Sequence, residues 1–139
     1  MGALACQSLE KRLPAAEGGW SIEQLSYDYV IDEDVVGGQD SSMYGRIWFY
    51  ENGSGELLPG NDSSRLENIT WKQLSDSQVR LEFERTRFEG LGTFDFRIEE
   101  NQARTQLWRA EEPGRIYNPL RRDSSDTRLL VQLEMLRLD

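Results

Sequence analysis

The residues of this chain that could do acid–base chemistry are carboxylates, because the sequence contains no histidine. Without histidine, the usual base of serine and cysteine nucleophile sites is missing. Paired carboxylates could still hydrolyse a glycosidic bond, and the candidates are Glu82, Glu84, Asp95 and Glu99. Strand alternation, however, puts the first two opposite Leu81 and Phe83, on the wet face. There they can pair across strands with nearby arginines, namely Arg80, Arg85, Arg97 and Arg104. We therefore predict no catalytic residues, and a protein that is not an enzyme.

A second acidic group raises the question of a metal site. Asp28, Asp32, Glu33 and Asp34 lie close together in sequence, and dense oxygen ligands can hold calcium. The spacing lacks the glycine and the distal glutamate of an EF-hand loop, so a solvated acidic loop is favoured. With one cysteine and no histidine, no zinc cluster can form. We predict neither a metal nor a cofactor.

Length and charge limit the class of protein. The chain has 139 residues, which suits one domain, and its 16 basic and 25 acidic residues give a net charge of −9. The densest basic spot, Arg121-Arg122, is followed at once by Asp123 and Asp126. Because nucleic acids are bound through clustered basic residues, we expect no nucleic-acid partner.

Apolar residues alternate with polar ones in short segments that are separated by tight turns. Val79, Leu81 and Phe83 show this period of two, which is typical of an antiparallel strand with one buried face. Eight strands are predicted in this way, at residues 20–31, 44–50, 56–58, 66–74, 78–87, 91–98, 103–110 and 128–138. A bulge is expected at Glu23-Gln24, and long loops are expected over 32–42 and 111–127. The short connections favour an all-β, eight-stranded up-and-down barrel, with a two-sheet sandwich as the alternative.

Large aromatic side chains are distributed over several of these strands. They could line a cavity for a small apolar ligand, or they could simply fill the barrel. The candidate ligand-binding residues are Trp48, Trp71, Phe83, Phe96 and Trp108. The flanking alternation does not tell which of Trp48, Trp71 and Trp108 point inward. Trp48 lies in the run Ile47-Trp48-Phe49-Tyr50, which is apolar on both faces.

One motif at the start of the first strand resembles a known family. Gly18-Gly19-Trp20, after a short predicted helical turn, resembles the Gly-x-Trp signature of lipocalins and their calycin relatives. The resemblance implies that Trp20 caps the closed end of the barrel, with an arginine of the last strand stacked on it. Arg137 is the first candidate for that arginine and Arg128 the second. The long final helix and the Arg-x-Tyr carboxylate clamp found in parts of this superfamily have no match here.

The segment before the barrel contains the lone cysteine. Ala3-Leu4-Ala5-Cys6 resembles the end of a bacterial lipoprotein signal, in which the cysteine is acylated. The resemblance implies that Cys6 is a lipid attachment site and that residues 1–15 are a tether, with the barrel domain spanning 16–139. The alternative is an incidental thiol in a frayed terminus.

Together these features predict a non-enzymatic, lipocalin-like lipoprotein of the bacterial cell envelope that binds a small apolar ligand inside its barrel. It would touch the membrane only through its lipid anchor. The alternative is a protein-interaction module with a filled barrel, whose outer surface or long loops dock a partner. An open lumen would favour the first hypothesis, and a filled lumen would favour the second.

Overall fold

A computed structural model describes residues 8–60, 66–85 and 91–138, with residues 39–44 described by their backbone alone. It contains one helix, α1 (Leu9–Ala15), and eight strands: β1 (Trp20–Ile31), β2 (Asp34–Phe49), β3 (Ser54–Pro59), β4 (Glu67–Ser75), β5 (Gln78–Phe83), β6 (Thr93–Asn101), β7 (Thr105–Asn118) and β8 (Asp123–Arg137). Each strand pairs antiparallel with the next, and β8 pairs with β1 to close the barrel. The predicted all-β, eight-stranded up-and-down barrel is confirmed, and the sandwich alternative is wrong.

The apolar residue of each alternating pair points into the barrel. Val79, Leu81 and Phe83 of β5 are buried, whereas Glu82 between them is exposed. The largest inward side chains have no exposed surface: Trp20, Trp108, Phe94 and Phe96. The rings of Phe94, Phe96 and Trp108 are in tilted contact, with centroids 5.9 Å apart for Phe94–Phe96 and 5.7 Å for Phe96–Trp108. Over this length the lumen is a packed core.

Helix α1 closes one end of the barrel, which we call the closed end. Leu9 and Leu13 are buried there, and the indole Nε1 of Trp20 donates a hydrogen bond to the Leu13 carbonyl oxygen over 3.2 Å. Gly19 reaches Trp20 with a φ of +81°, and a Cβ at this position would lie 2.9 Å from the Ile47 carbonyl oxygen. Helix α1, which lies within the predicted tether of residues 1–15, therefore packs against the barrel.

Arg12 is a buried cation at the closed end, although it falls within the predicted tether. Its side chain is 1% exposed, and its Nη1 donates to Asn101 at both the backbone oxygen, over 2.6 Å, and Oδ1, over 2.8 Å. A buried charge is tolerated only when hydrogen bonds replace its water. These bonds join the helix to the end of β6, and so fix α1 across the barrel opening.

Two hairpins continue beyond the barrel at the opposite end. The β1–β2 ladder extends to Ile31↔Asp34 and the β7–β8 ladder to Asn118↔Asp123, while β1 and β8 stay paired as far as Ile31↔Thr127. Together they form a four-stranded sheet in the order β2-β1-β8-β7, which we call the arm (residues 27–39 and 110–131). The predicted loops over 32–42 and 111–127 are wrong. The β1–β2 hairpin beyond Ile31 and most of β7 beyond Ala110 are solvated on both faces, so these segments carry no alternation, whereas β8 alternates from Ser125 onward.

The burial of Trp20 leads to a stability prediction. Trp20→Ala should lower the free energy of unfolding by about 3–5 kcal/mol, because it leaves a cavity at the closed end. Chemical denaturation followed by circular dichroism measures this loss. Trp48→Ala, on a half-buried ring, is the matched control and should cost well under half as much. An unchanged unfolding midpoint for Trp20→Ala would contradict its role as a cap.

Candidate functional site

The predicted ligand-binding residues divide between the lumen and the outer surface. Trp71, Phe83, Phe96 and Trp108 are buried and point inward. Trp48 lies on the outside, because its neighbours Ile47 and Phe49 occupy the inward positions of β2. There the guanidinium of Arg46 stacks 5.4 Å from the centroid of the Trp48 ring. A ligand in the lumen would not contact Trp48.

The inward tryptophans have their indole donors satisfied by the protein itself. Nε1 of Trp108 donates to Oε1 of Gln106 over 3.0 Å. Nε1 of Trp71 donates to the backbone carbonyl oxygens of Tyr50, over 3.0 Å, and Ser54, over 3.1 Å. Ligand pockets usually offer a few convergent polar groups. Here those groups already serve the fold, so the rings act as core residues.

Arg137 occupies the position that the resemblance implies. It is directly opposite Trp20 in the β1–β8 ladder, and its Nη2 donates to the Ala15 carbonyl oxygen over 3.1 Å. The stacking of its guanidinium on Trp20 stays a prediction. Arg128, the second candidate, lies in the arm, where it pairs with Glu33 at 3.5 Å and with Glu111 at 3.2 Å. It is therefore unavailable to the closed end.

The carboxylates weighed as catalytic candidates take part in surface interactions. Arg80 and Asp95 are cross-strand neighbours joined by two hydrogen bonds of 2.7 Å and 3.1 Å, as the alternation predicted. This pairing with Arg80 lowers the pKa of Asp95. Glu99 accepts from Arg97 over 2.8 Å, and Glu84 accepts from the Asn68 amide over 2.9 Å. The carboxylates of Asp95, Glu99 and Glu84 are thus held on the outer surface by hydrogen bonds to neighbouring residues.

The acidic group considered for calcium is spread along the β1–β2 hairpin. Asp32 and Glu33 form its two-residue turn with φ of 49° and 72°, and Asp34 begins β2. In the part of the chain that the structure describes, no three acidic, cysteine or histidine side chains come together as a metal site requires. No helix in the same part has the length and apolar content that crossing a bilayer requires.

A polar groove of about 460 Å³ lies on the outer face, where β6 and β7 separate. These two strands pair only from Gln106 to Arg109, and β7 then continues alone into the arm. Arg97 and Arg109 face each other across the pairing, with Asp95 and Glu111 beside them in the lining. Because acids and bases alternate within it, the groove does not favour a ligand of one charge.

Glu112 spans the gap between the separated strands. Its carboxylate accepts a hydrogen bond from the backbone of Asp95, and burial is the main cause of its raised pKa, with the charge of Asp95 adding to it. Glu112 is therefore a carboxylate beside the groove whose ionisation is unfavourable. No alternation marks this residue in the sequence, because it lies in the segment predicted as a loop.

The arm displays apolar side chains to solvent. Leu120, at the tip of the β7–β8 hairpin, is 94% exposed, and Tyr117 beside it is 62% exposed. On the β1–β2 hairpin, Val35 and Val36 are 65% and 56% exposed. Apolar patches of this kind are typical of contact surfaces. Sequence reasoning missed them, although Ile116-Tyr117 within a predicted loop was an available signal.

No known protein family matches this chain, and neither a curated protein nor a solved structure is significantly similar to it.

The raised pKa of Glu112 predicts a pH-dependent gain in stability. Glu112→Gln keeps an acceptor for the Asp95 amide but removes the buried charge. A carboxyl whose pKa is raised by folding destabilises the protein above its ordinary pKa, and this cost disappears as the pH falls. The variant should therefore melt at a higher temperature than the parent at pH 7, and at the same temperature near pH 3.

Glu100→Gln, on the exposed surface of β6, is the control for this measurement. Thermal melts of the three proteins at both pH values provide the comparison. A Glu112→Gln variant that is less stable at pH 7 would show that the ionised carboxylate supports the fold.

Proposed function

We propose that this protein is a non-enzymatic docking protein of the bacterial cell envelope, which binds a partner protein through its arm. The observation that carries the proposal is the arm itself. It continues two hairpins beyond the barrel, although the fold needs neither extension, and it exposes Leu120 and Tyr117 at one tip. Leucine and tyrosine that project from a rigid sheet are suited to fill a pocket on a partner.

The filled lumen supports docking over ligand transport. Phe94, Phe96 and Trp108 occupy the barrel without exposed surface, and the groove beside β6 and β7 lies on the outside. A barrel of eight strands has an interior that side chains can fill completely. Binding at the surface therefore agrees better with this packing.

The placement of Cys6 fits the same proposal. Cys6 lies outside the described residues, but only three peptide units separate it from Leu9 at the closed end. Three residues span at most about 11 Å. An acyl group on Cys6 would hold the closed end close to the bilayer, and the arm would then project away from the membrane toward other envelope components.

The likeness to lipocalins enters the proposal as a likeness of architecture. It is supported by the closed eight-stranded barrel, by Gly19-Trp20 at the start of β1 and by the position of Arg137 opposite Trp20. The lipid anchor is supported by Ala3-Leu4-Ala5-Cys6. Neither feature specifies a ligand, so the proposed activity follows from the arm.

A second candidate function is the binding of a small apolar ligand at the open end of the barrel. One observation favours it: Phe83, at the open-end limit of β5, keeps 9% exposure, and Tyr27 and Tyr29 are only partly buried. In this hypothesis the ligand would lie above the packed rings. It would touch Phe83, but not Trp108 or Phe96.

A site-specific photo-crosslink tests the docking function. A benzophenone amino acid at position 120, in cells that naturally make the protein, should give a light-dependent adduct of discrete protein mass. The same group at Asp76, in the turn between β4 and β5 at the closed end, is the control. Tyr117→Ser should weaken the adduct at position 120 severalfold.

Native mass spectrometry of the freshly purified protein separates the two candidate functions. If position 120 yields no adduct, while a small molecule co-purifies and is lost in Phe83→Ala, ligand binding replaces docking as the function. Adducts of equal yield at positions 120 and 76 would show that the arm has no particular role.

The lipid anchor has its own test. The complete gene product, expressed in a bacterium, should partition into the membrane fraction, and Cys6→Ser should release it, because a lipid chain supplies the binding energy. Labelling with a clickable fatty acid should mark the parent and not the variant. Equal partitioning of both proteins would leave Cys6 as an incidental thiol.

A further inference from the structure

Strand β2 has a long edge with no described partner. It runs from Asp34 to Phe49, but β3 pairs with it only between Gly45 and Phe49. Residues 34–44 therefore have β1 on one side and, within the described ranges, no strand on the other. We call this side of residues 34–44 the β2 edge. Such an edge presents unpaired N–H and C=O groups, which can pair with another chain.

The opposite edge of the arm is protected, which makes the β2 edge distinctive. Along β7, Pro113 has no N–H to donate, and Glu112 accepts a hydrogen bond from the backbone of Asp95 on β6. The β2 edge contains neither proline nor lysine. Its pairing with β1 is continuous from Gly37 to Ser42, between two register shifts. That length accommodates an added strand of about six residues.

The face of the sheet is open at Gly37, within the β2 edge. A Cβ placed on Gly37 would meet no heavy atom within 4 Å. Val35 and Val36, next to it, are more than half exposed. Side chains of an added strand can therefore lie over this face, and the two valines can contact them.

The charge around the edge indicates the chemistry of the occupant. Residues 13–45 contain seven acidic residues and no lysine or arginine, in a chain whose net charge is −9. Asp28, Asp32, Glu33 and Asp34 are exposed in the β1–β2 hairpin. Arg128 contacts Glu33 at 3.5 Å, from the neighbouring strand. The surroundings of the edge are thus strongly negative and attract a cationic chain.

We propose that the β2 edge binds an extended, basic segment of a partner protein as an added β-strand. This rests on the docking function proposed above and names the surface and the partner's chemistry. Main-chain hydrogen bonds to residues 37–42 would supply affinity, and the acidic side chains would select lysine or arginine. Val35 and Val36 would contact apolar residues at alternate positions of the added strand.

A second copy of this chain is a poor occupant. Edge-to-edge pairing of two copies would bring two acidic hairpins together, and their repulsion opposes association. The same charges that attract a basic strand therefore keep the chain from pairing with itself.

The test uses the full-length protein and a fluorescent nine-residue peptide of alternating lysine and valine. Fluorescence anisotropy should show saturable binding that weakens as salt is added. The matching peptide of glutamate and valine should not bind. Two further peptides are N-methylated at alternate residues, one in each phase. Only the peptide whose methyl groups replace the N–H groups that face β2 should lose binding, because those N–H groups donate the hydrogen bonds to the edge.

Hydrogen exchange locates the bound peptide. Amides that face the β2 edge should become protected on addition of the lysine–valine peptide, while exchange at the edge of β7 stays unchanged. The double variant Asp32→Asn/Asp34→Asn should weaken binding by about fivefold, as expected for two surface charges. Glu51→Gln/Asp76→Asn makes the same charge change at the closed end and should leave binding unchanged.

Each contrary result has a defined meaning. Equal binding of both N-methylated peptides would show that the peptide is held by electrostatic attraction alone, and would overturn the proposal that it binds as an added β-strand. Absence of binding at millimolar peptide would overturn the proposal as well. If the photo-crosslink at position 120 still forms in that case, the docking function stands and uses another surface. Dimers that protect the same amides at high salt would assign the edge to a second copy.

Discussion

The pairing of β1 with β8 is the constraint on which the rest of this structure depends. It joins the two ends of the domain from Trp20↔Arg137 to Ile31↔Thr127, which are distant in the sequence. At one end it closes the barrel and places Trp20 under α1. At the other end it continues past the barrel and becomes the centre of the arm. One ladder therefore produces both the closed scaffold and the extension that carries the proposed function.

Closure has a consequence for where binding can occur. A small barrel must fill its interior or leave a cavity, and here the aromatic rings of β6 and β7 fill it. Their polar atoms are satisfied within the fold, as the bond between Trp108 and Gln106 shows. We therefore expect a partner to bind at surfaces that do not contribute to the core. The tips of the arm meet this condition, because Val35, Val36, Tyr117 and Leu120 are exposed and lie outside the core.

Charge and hydrogen bonding have complementary roles on the arm. Free strand edges invite association, and natural sheets protect them with proline, charge or covering segments. The edge of β7 carries Pro113, whereas β2 is flanked by acidic residues alone. Proline removes a backbone donor, whereas acidic side chains leave the backbone groups free to form hydrogen bonds. The acidic side chains repel a like-charged strand but allow a basic strand to pair. Selectivity in this arrangement comes from charge, and affinity from the main chain.

The sequence by itself determined the barrel strands, since Val79, Leu81 and Phe83 alternate in the way that a half-buried strand requires. It also indicated the bulge after Ile22 and the cap at Trp20. It did not determine the arm, the orientation of Trp48 or the burial of Arg12. Residues 34–38 have no buried face to impose a period of two, and Trp48 stands in a run that is apolar on both faces. The segments of the arm become strands only because β1 pairs with β8. Pairing with a segment distant in the sequence supplies hydrogen bonds that the local pattern of apolar residues does not predict.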